Sequence, residues 1–331
     1  MATYKGIKGI KVVTKATDPS ASTSVGTMWY NSTSPAALKY SIEGTAAWAA
    51  GTATNQARAV FGSAVGTATA ALVWGDDNAP TNDLVETWNG SAWTETGDLL
   101  TGRNASGAAG TNTAALAFGG HNTVALTENW NGSSWTEVAD LNTGRGRACG
   151  SLGGSTTAAL FCGGQVYPTI YAITETWNGS SWSEVGNLTT AVHFETGIGT
   201  STAMLCIGGR TTPSLNPPSM IDNVQRWNGS SWTEVNDINA ANSKSASTAS
   251  GTTTAGMIAG GETTAGAGIA VCEMYNGTSW TEVADLANAR YGPGGAGTTT
   301  SALAIDGKTP NMNTVEEWAD PVYTIKTVTV S

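Results

Sequence analysis

WNGSSW, residues 130–135, decides the fold. The same wording returns at 177–182 and 227–232, as WNGSAW at 88–93 and as YNGTSW at 275–280. Successive starts lie 42, 47, 50 and 48 residues apart, and a partial copy, EEW at 316–318, ends 43 residues after Tyr275. An Asn-Gly step between two aromatics is a hairpin signal, because both residues tolerate positive φ. A second landmark keeps step with the first. It is an apolar run ending in a glycine pair: ALAFGG at 115–120, ALFCGG at 159–164, MLCIGG at 204–209 and GMIAGG at 256–261. Looser copies, ALVWGD at 71–76 and ALAIDG at 302–307, bring the number of units to six.

Each unit reads as four short strands. In the second, strand a falls near 105–110, strand b at 114–118, strand c at 126–130 and strand d at 135–138. No sustained i, i+3, i+4, i+7 apolar pattern argues for helix. Short apolar runs recurring every 42–50 residues between Gly and Asn-Gly turns predict blades of an all-β propeller. Most of the thirteen tryptophans fall on repeat positions: Trp48, Trp88, Trp93, Trp130, Trp135, Trp177, Trp182, Trp227, Trp232, Trp280 and Trp318, with Tyr275 in the remaining strand-c place. Two aromatics flank each four-residue turn on adjacent strands, where they can pack on each other and on the next blade.

Composition narrows the function. The chain of 331 residues is 40% hydrophobic but only 12% charged, so it carries material for a large core. A net charge of −10 argues against nucleic acid as a partner. No apolar run reaches membrane-spanning length, and the N-terminus lacks a secretory pattern, so no membrane insertion is expected. Cys149, Cys162, Cys206 and Cys272 show no metal-ligand spacing and read as small buried hydrophobes. No metal and no cofactor are expected. The glycines of 292–297 lack the strand-to-helix context of a phosphate loop. The repeat acids are spread along the chain instead of paired across a cleft. Two histidines are too few for a copper-radical centre. The chain therefore reads as no enzyme. The Asn-Gly-Ser/Thr triplets at Asn89, Asn131, Asn178, Asn228 and Asn276 match the glycosylation pattern, but the turn accounts for them.

The order glycine pair, strand-c aromatic, strand-d tryptophan resembles the kelch-type β-propeller repeat. Gly119-Gly120, Trp130 and Trp135 carry it, as do their counterparts over roughly 45–318. A glutamate two residues before the strand-c aromatic fits as well: Glu86, Glu128, Glu175, Glu273 and Glu316, with Gln225 the exception. The wording WNGSSWTEVADLNTGR and the leading segment GTMWYNSTSPAALKYS are similar to repeat proteins of tailed-phage virions, marine phages in particular. The resemblance implies a virion protein of the tail or capsid, present in multiple copies. Its expected partners are other virion subunits and a host-surface glycan or protein. The alternative is a secreted or surface bacterial propeller that binds glycans as a lectin does.

Three parts are expected: an attachment arm with a hairpin at 1–43, a six-bladed kelch-like propeller at 44–320 and a C-terminal strand or tail at 321–331. The arm carries Lys5, Lys8, Lys11 and Lys15 before any acid, and its hairpin turns around 31–35. Strand-c aromatics in the propeller outnumber strand-d tryptophans by one, so Trp48 is expected to complete the last blade beside Trp318 and close the ring. Strand parity puts the a–b and c–d turns at one end, the b–c loops and d–a junctions at the other. The first end is uniform. The second varies, with 10 residues from Gly120 to Trp130 but 18 from Gly209 to Trp227. Variable loops on a rigid frame are where recognition sits. The candidate binding residues there are Arg58, Arg103, Arg145 and Arg290 from the d–a junctions, with His193 and Lys244 in the matching places of other units. His121, Gln165 and Arg210 join them from the b–c loops. Two uses stand open for the junction arginines: gripping a ligand carboxylate or phosphate, or pairing with the strand-c glutamates.

Overall fold

The computed structural model describes residues 12–33, 36–58, 63–76, 83–121, 124–213, 219–308, 312–321 and 323–328. Lys5, Lys8 and Lys11 of the expected basic arm lie outside them. The chain forms two compact units, Met1–Ala47 with Asp320–Ser331, and Trp48–Ala319. No α-helix occurs among the described residues, and no helix is long and apolar enough to cross a membrane.

In the smaller unit Met28–Asn31 pairs antiparallel with Ala37–Glu43, the expected hairpin. Val13–Lys15 adds in parallel on one side, and the C-terminal strand Tyr323–Thr327 adds antiparallel on the other. Asp18 ties this sheet together by accepting from Trp29 Nε1 at 3.0 Å, Asn31 Nδ2 at 2.6 Å and Lys39 Nζ at 2.6 Å. The Lys39, Trp29 and Asn31 donors hold its carboxyl at about 2.

The larger unit is built of four-stranded antiparallel sheets, an arrangement consistent with a β-propeller. The first is Ala64–Thr67, Ala70–Trp74, Val85–Trp88 and Trp93–Glu95. The second is Gly107–Gly110, Ala115–Phe118, Thr127–Trp130 and Trp135–Val138. Its boundaries match the sequence reading to within two residues; strand a starts late because Ala105 has φ +49°. The third is Cys149–Gly150, Ala159–Cys162, Thr174–Trp177 and Trp182–Val185. The fourth is Thr196–Thr200, Ala203–Ile207, Val224–Trp227 and Trp232–Val235. The fifth is Ala246–Ser247, Gly256–Ala259, Cys272–Tyr275 and Trp280–Val283. Gly294–Thr298, Ser301–Gly307 and Met312–Ala319 form a further sheet whose outer strand is Ala47–Ala50.

The c–d turn explains its own recurrence. Asn131 Oδ1 accepts the backbone N–H groups of Ser133 and Ser134, each at 3.0 Å, while Gly132 takes φ +95°. Trp130 and Trp135 then face each other with ring centroids 5.4 Å apart. Trp48 meets Trp318 in the same way at 5.6 Å. The core lies between successive sheets. Phe118 of the second packs edge-on against Phe161 and Trp182 of the third, at 5.2 and 4.9 Å. Trp182 Nε1 donates to Thr127 Oγ1 of the second sheet at 2.9 Å, and Trp232 Nε1 to Thr174 Oγ1 of the third at 3.0 Å.

Candidate functional site

The d–a junction is built around the strand-c glutamate. Glu175 accepts from the backbone N–H of Asn142 at 2.8 Å and from Asn142 Nδ2 at 2.9 Å, which fastens the end of one sheet to the next. Arg145 Nη1 joins at 2.5 Å. Its remaining donors reach the carbonyls of Gly163 at 2.9 Å, Thr143 at 2.9 Å and Phe161 at 3.0 Å. The same pairing joins Arg58 to Glu86, Arg103 to Glu128 and Arg290 to Glu316. These arginines are only 0–3% exposed. Burial pulls the Arg103 guanidinium down to about 10. The ligand-gripping use of Arg58, Arg103, Arg145 and Arg290 is thereby corrected: the forks of Arg103, Arg145 and Arg290 face internal acceptors, and Arg58, equally enclosed, pairs with Glu86 although its Nη1 meets no acceptor.

The junction register corrects a second expectation. The second glycine of each pair donates its N–H to one junction carbonyl: Gly120 to Arg145, Gly164 to Val192, Gly209 to Asn242 and Gly261 to Arg290. Val192 and Asn242 therefore occupy the arginine position in the units where His193 and Lys244 were expected. Gln225 accepts from Thr189 and Thr190, and Glu273 from Asn239, without an arginine.

Two residues beyond that position the chain turns left-handed at each of the places that lie among the described residues. Ala105, Arg147, Phe194, Lys244 and Gly292 have φ of +49°, +57°, +58°, +59° and +67°. This turn precedes strand a, and at Arg147, Phe194 and Lys244 it brings a side chain to the lining of a pocket. Ser106, Arg147, Cys149, Phe194, Glu195, Thr196, Lys244, Ser245 and Ser247 are among its lining residues. Phe194 gathers cations: Lys244 Nζ lies 4.6 Å from its centroid, Arg147 Cζ 4.9 Å and Arg210 Cζ 5.4 Å. Glu262 balances part of this charge, pairing with Arg210 and with Lys244 at 2.8 Å. Burial lowers the Lys244 ammonium below its usual range, and the neighbouring arginines add to this against the pull of Glu262.

Glu195 forms the pocket's acidic wall. Its Oε1 accepts from Cys149 N at 3.1 Å, while Oε2 is buried without a hydrogen-bond partner. Burial pushes its carboxyl well above the usual glutamate range. His193, fully buried, places Nε2 3.0 Å from the Thr212 carbonyl, and burial brings it down to about 4.

The b–c loop candidates belong to this neighbourhood by register. Gln165 pairs with Gly146 and Arg210 with His193 as isolated bridges. Gln165 Oε1 accepts from Arg147 Nη1 at 2.9 Å, and Arg210 is buried against Phe194. His121 is half-buried, and its backbone N–H donates to Asn104 at 2.9 Å. Sequence reasoning missed Arg147, Phe194 and Glu195. The available signal was a cation two residues after Arg145 and after Asn242. It also missed that Cys149, Cys162 and Cys206 converge, which no spacing could reveal. Cations around an aromatic, several hydroxyls and a proton-holding carboxyl suit the site to binding a polar, partly anionic group. No family model matches this chain, and no curated protein matches it either.

Proposed function

We propose that the larger unit is a six-bladed kelch-like propeller, closed by the strand Ala47–Ala50, in a non-enzymatic binding protein of a phage virion. Support for closure comes from the first strands, which touch in succession, with Gly294–Thr298 also against Ala64–Thr67. Ala64, Ala71 and Val73 further share a core with Ala296, Leu303 and Ile305. Residues 1–43 would hold the protein to a tail or capsid neighbour, and its varied end would face a host surface or another subunit.

One observation carries the binding role. Four-residue c–d turns repeat at one end, whereas the b–c loops at the other range from short links to an inserted hairpin, Gln165–Val166 with Thr169–Ile170. The pocket of Arg147, Phe194 and Lys244 sits where the first strands begin, at that varied end. Mass spectrometry and electron microscopy of purified particles test the assignment: a chain absent from intact virions ends it. The glycan-binding alternative is favoured by the aromatic ring and the hydroxyls of Ser106, Thr196, Ser245 and Ser247. A glycan array decides it, with specific binding lost in an Arg147→Ala/Lys244→Ala variant as the supporting result and no binding as the refuting one.

A further inference from the structure

Cys149 and Cys162 are cross-strand partners in the third sheet, and Cys206 comes from strand b of the fourth. The Cys149 and Cys162 sulfurs are 3.3 Å apart, and all three lie within 4.8 Å of one another. All three side chains are buried.

The repeat makes this meeting informative. One interface earlier, the same three positions are Gly107, Phe118 and Phe161. There a glycine opens space for two rings packed edge-on at 5.2 Å, and a Cβ on Gly107 would run into both. One interface later they are Thr196, Ile207 and Ile258. Between these two, a glycine-or-threonine place and two large apolar places all become thiols together. Filling a core needs no sulfur, and alanine, valine or isoleucine serves at the corresponding positions elsewhere.

The dimensions suit a metal. Sulfurs bound at about 2.3 Å to one cation stand roughly 3.8–4.0 Å from each other in tetrahedral or trigonal geometry. The Cys149–Cys162 pair is somewhat closer than that, and no pair of the three is wider than 4.8 Å. Arg145 bonds the carbonyls of Phe161 and Gly163 on either side of Cys162, placing positive charge beside its sulfur. Cys149 also lines the pocket, which gives an ion a way in. Glu195, bonded to the Cys149 amide, leaves one buried oxygen without a partner.

We propose that Cys149, Cys162 and Cys206 bind one thiophilic d¹⁰ cation, Cu(I) or Zn(II), through three sulfurs. Three sulfurs complete a trigonal Cu(I) site, whereas Zn(II) takes a fourth ligand, for which Glu195 is the adjacent carboxylate. Binding displaces the thiol protons to solvent, and in the four-ligand form the Glu195 carboxyl proton leaves with them. The site stands independently of the virion reading.

The test titrates the full reduced chain, without oxygen, with Zn(II) and with Cu(I) against a chromophoric chelator. One equivalent is expected to bind. Cys206→Ala and Cys149→Ser should each weaken it on the order of tenfold or more. Cys272→Ala, a buried cysteine outside the trio, should leave it unchanged. X-ray absorption of the loaded wild-type chain should count three sulfurs at about 2.2–2.3 Å, a readout that does not depend on the variants folding. Zn(II) affinity that falls in Glu195→Gln while Cu(I) affinity holds supports the four-ligand form, and Cu(I) uptake alone supports the trigonal form. No uptake of either ion, fewer than three sulfurs, or an equal loss in Cys272→Ala overturns the proposal. So does a Cys149–Cys162 disulfide whose reduction restores no metal binding.

Discussion

The fourth sheet contains a natural replacement for the Arg–Glu pair, and transplanting it measures what the pair does. Arg145 and Glu175 are both fully buried. Glu175→Gln keeps an acceptor for the Asn142 N–H but leaves the guanidinium facing the uncharged carbonyls of Gly163, Thr143, Phe161 and Ile173. Losing one partner of a buried ion pair costs about 3–5 kcal/mol. Arg145→Val should cost a similar amount, since it strands the Glu175 charge and removes the donors from Gly163 and Phe161. The double variant Arg145→Val/Glu175→Gln copies Val192 and Gln225, where Gln225 Oε1 accepts from Thr189 N at 2.7 Å and Thr189 Oγ1 at 2.8 Å with no charge involved. It should therefore be less damaging than the two single changes added, by roughly 2 kcal/mol. The assay is equilibrium urea unfolding, with a thermal melt beside it, both followed by tryptophan fluorescence. Each kcal/mol corresponds to roughly 2–4 °C of Tm, so Glu175→Gln should lower the thermal midpoint by roughly 6–20 °C. Strict additivity, or a Glu175→Gln variant within about 0.5 kcal/mol of wild type, would refute the claim that these charges exist for each other.

Thr127→Val removes the acceptor of the Trp182 indole and should cost about 1–3 kcal/mol in the same assay. Val85 stands at the equivalent place in the first sheet, where the buried Trp135 Nε1 has no partner, so Val85→Thr should stabilise by about 1 kcal/mol. Glu195 keeps its proton in the folded chain above the 4.5 at which the unfolded carboxyl loses it, so its stability contribution is present below 4.5 and lost as pH rises through the raised value. Glu195→Gln should thus gain stability over wild type at alkaline pH, an advantage that vanishes below 4.5 in unfolding curves across pH. His193 has the opposite slope: the unfolded ring takes a proton near 6.5 and the folded one only near 4, so stability falls as pH drops through that window, and His193→Gln should flatten the fall.

What could be read without coordinates was whatever repeats. The strand order, the Asn-Gly turns and the aromatic pairs are local features, and their register held even for Trp48 and Trp318, 270 residues apart in the chain yet 5.6 Å apart as rings. The glutamate two residues before each aromatic was equally plain, though its backbone donors come from the junction of the adjoining sheet. The junctions themselves were misread by one or two residues, because they combine irregular length with a left-handed turn that the residue types Ala105, Arg147, Phe194 and Lys244 do not announce.

The sequence by itself determined the all-β class, the sheet unit and its aromatic hairpins, because short-range periodicity and turn chemistry act within a few residues. Only the tertiary structure decided which cations line a pocket and which are enclosed. It alone brought together three cysteines separated by as many as 57 positions. Those outcomes depend on how one sheet's edge meets the next, and that distance through space leaves no period along the chain.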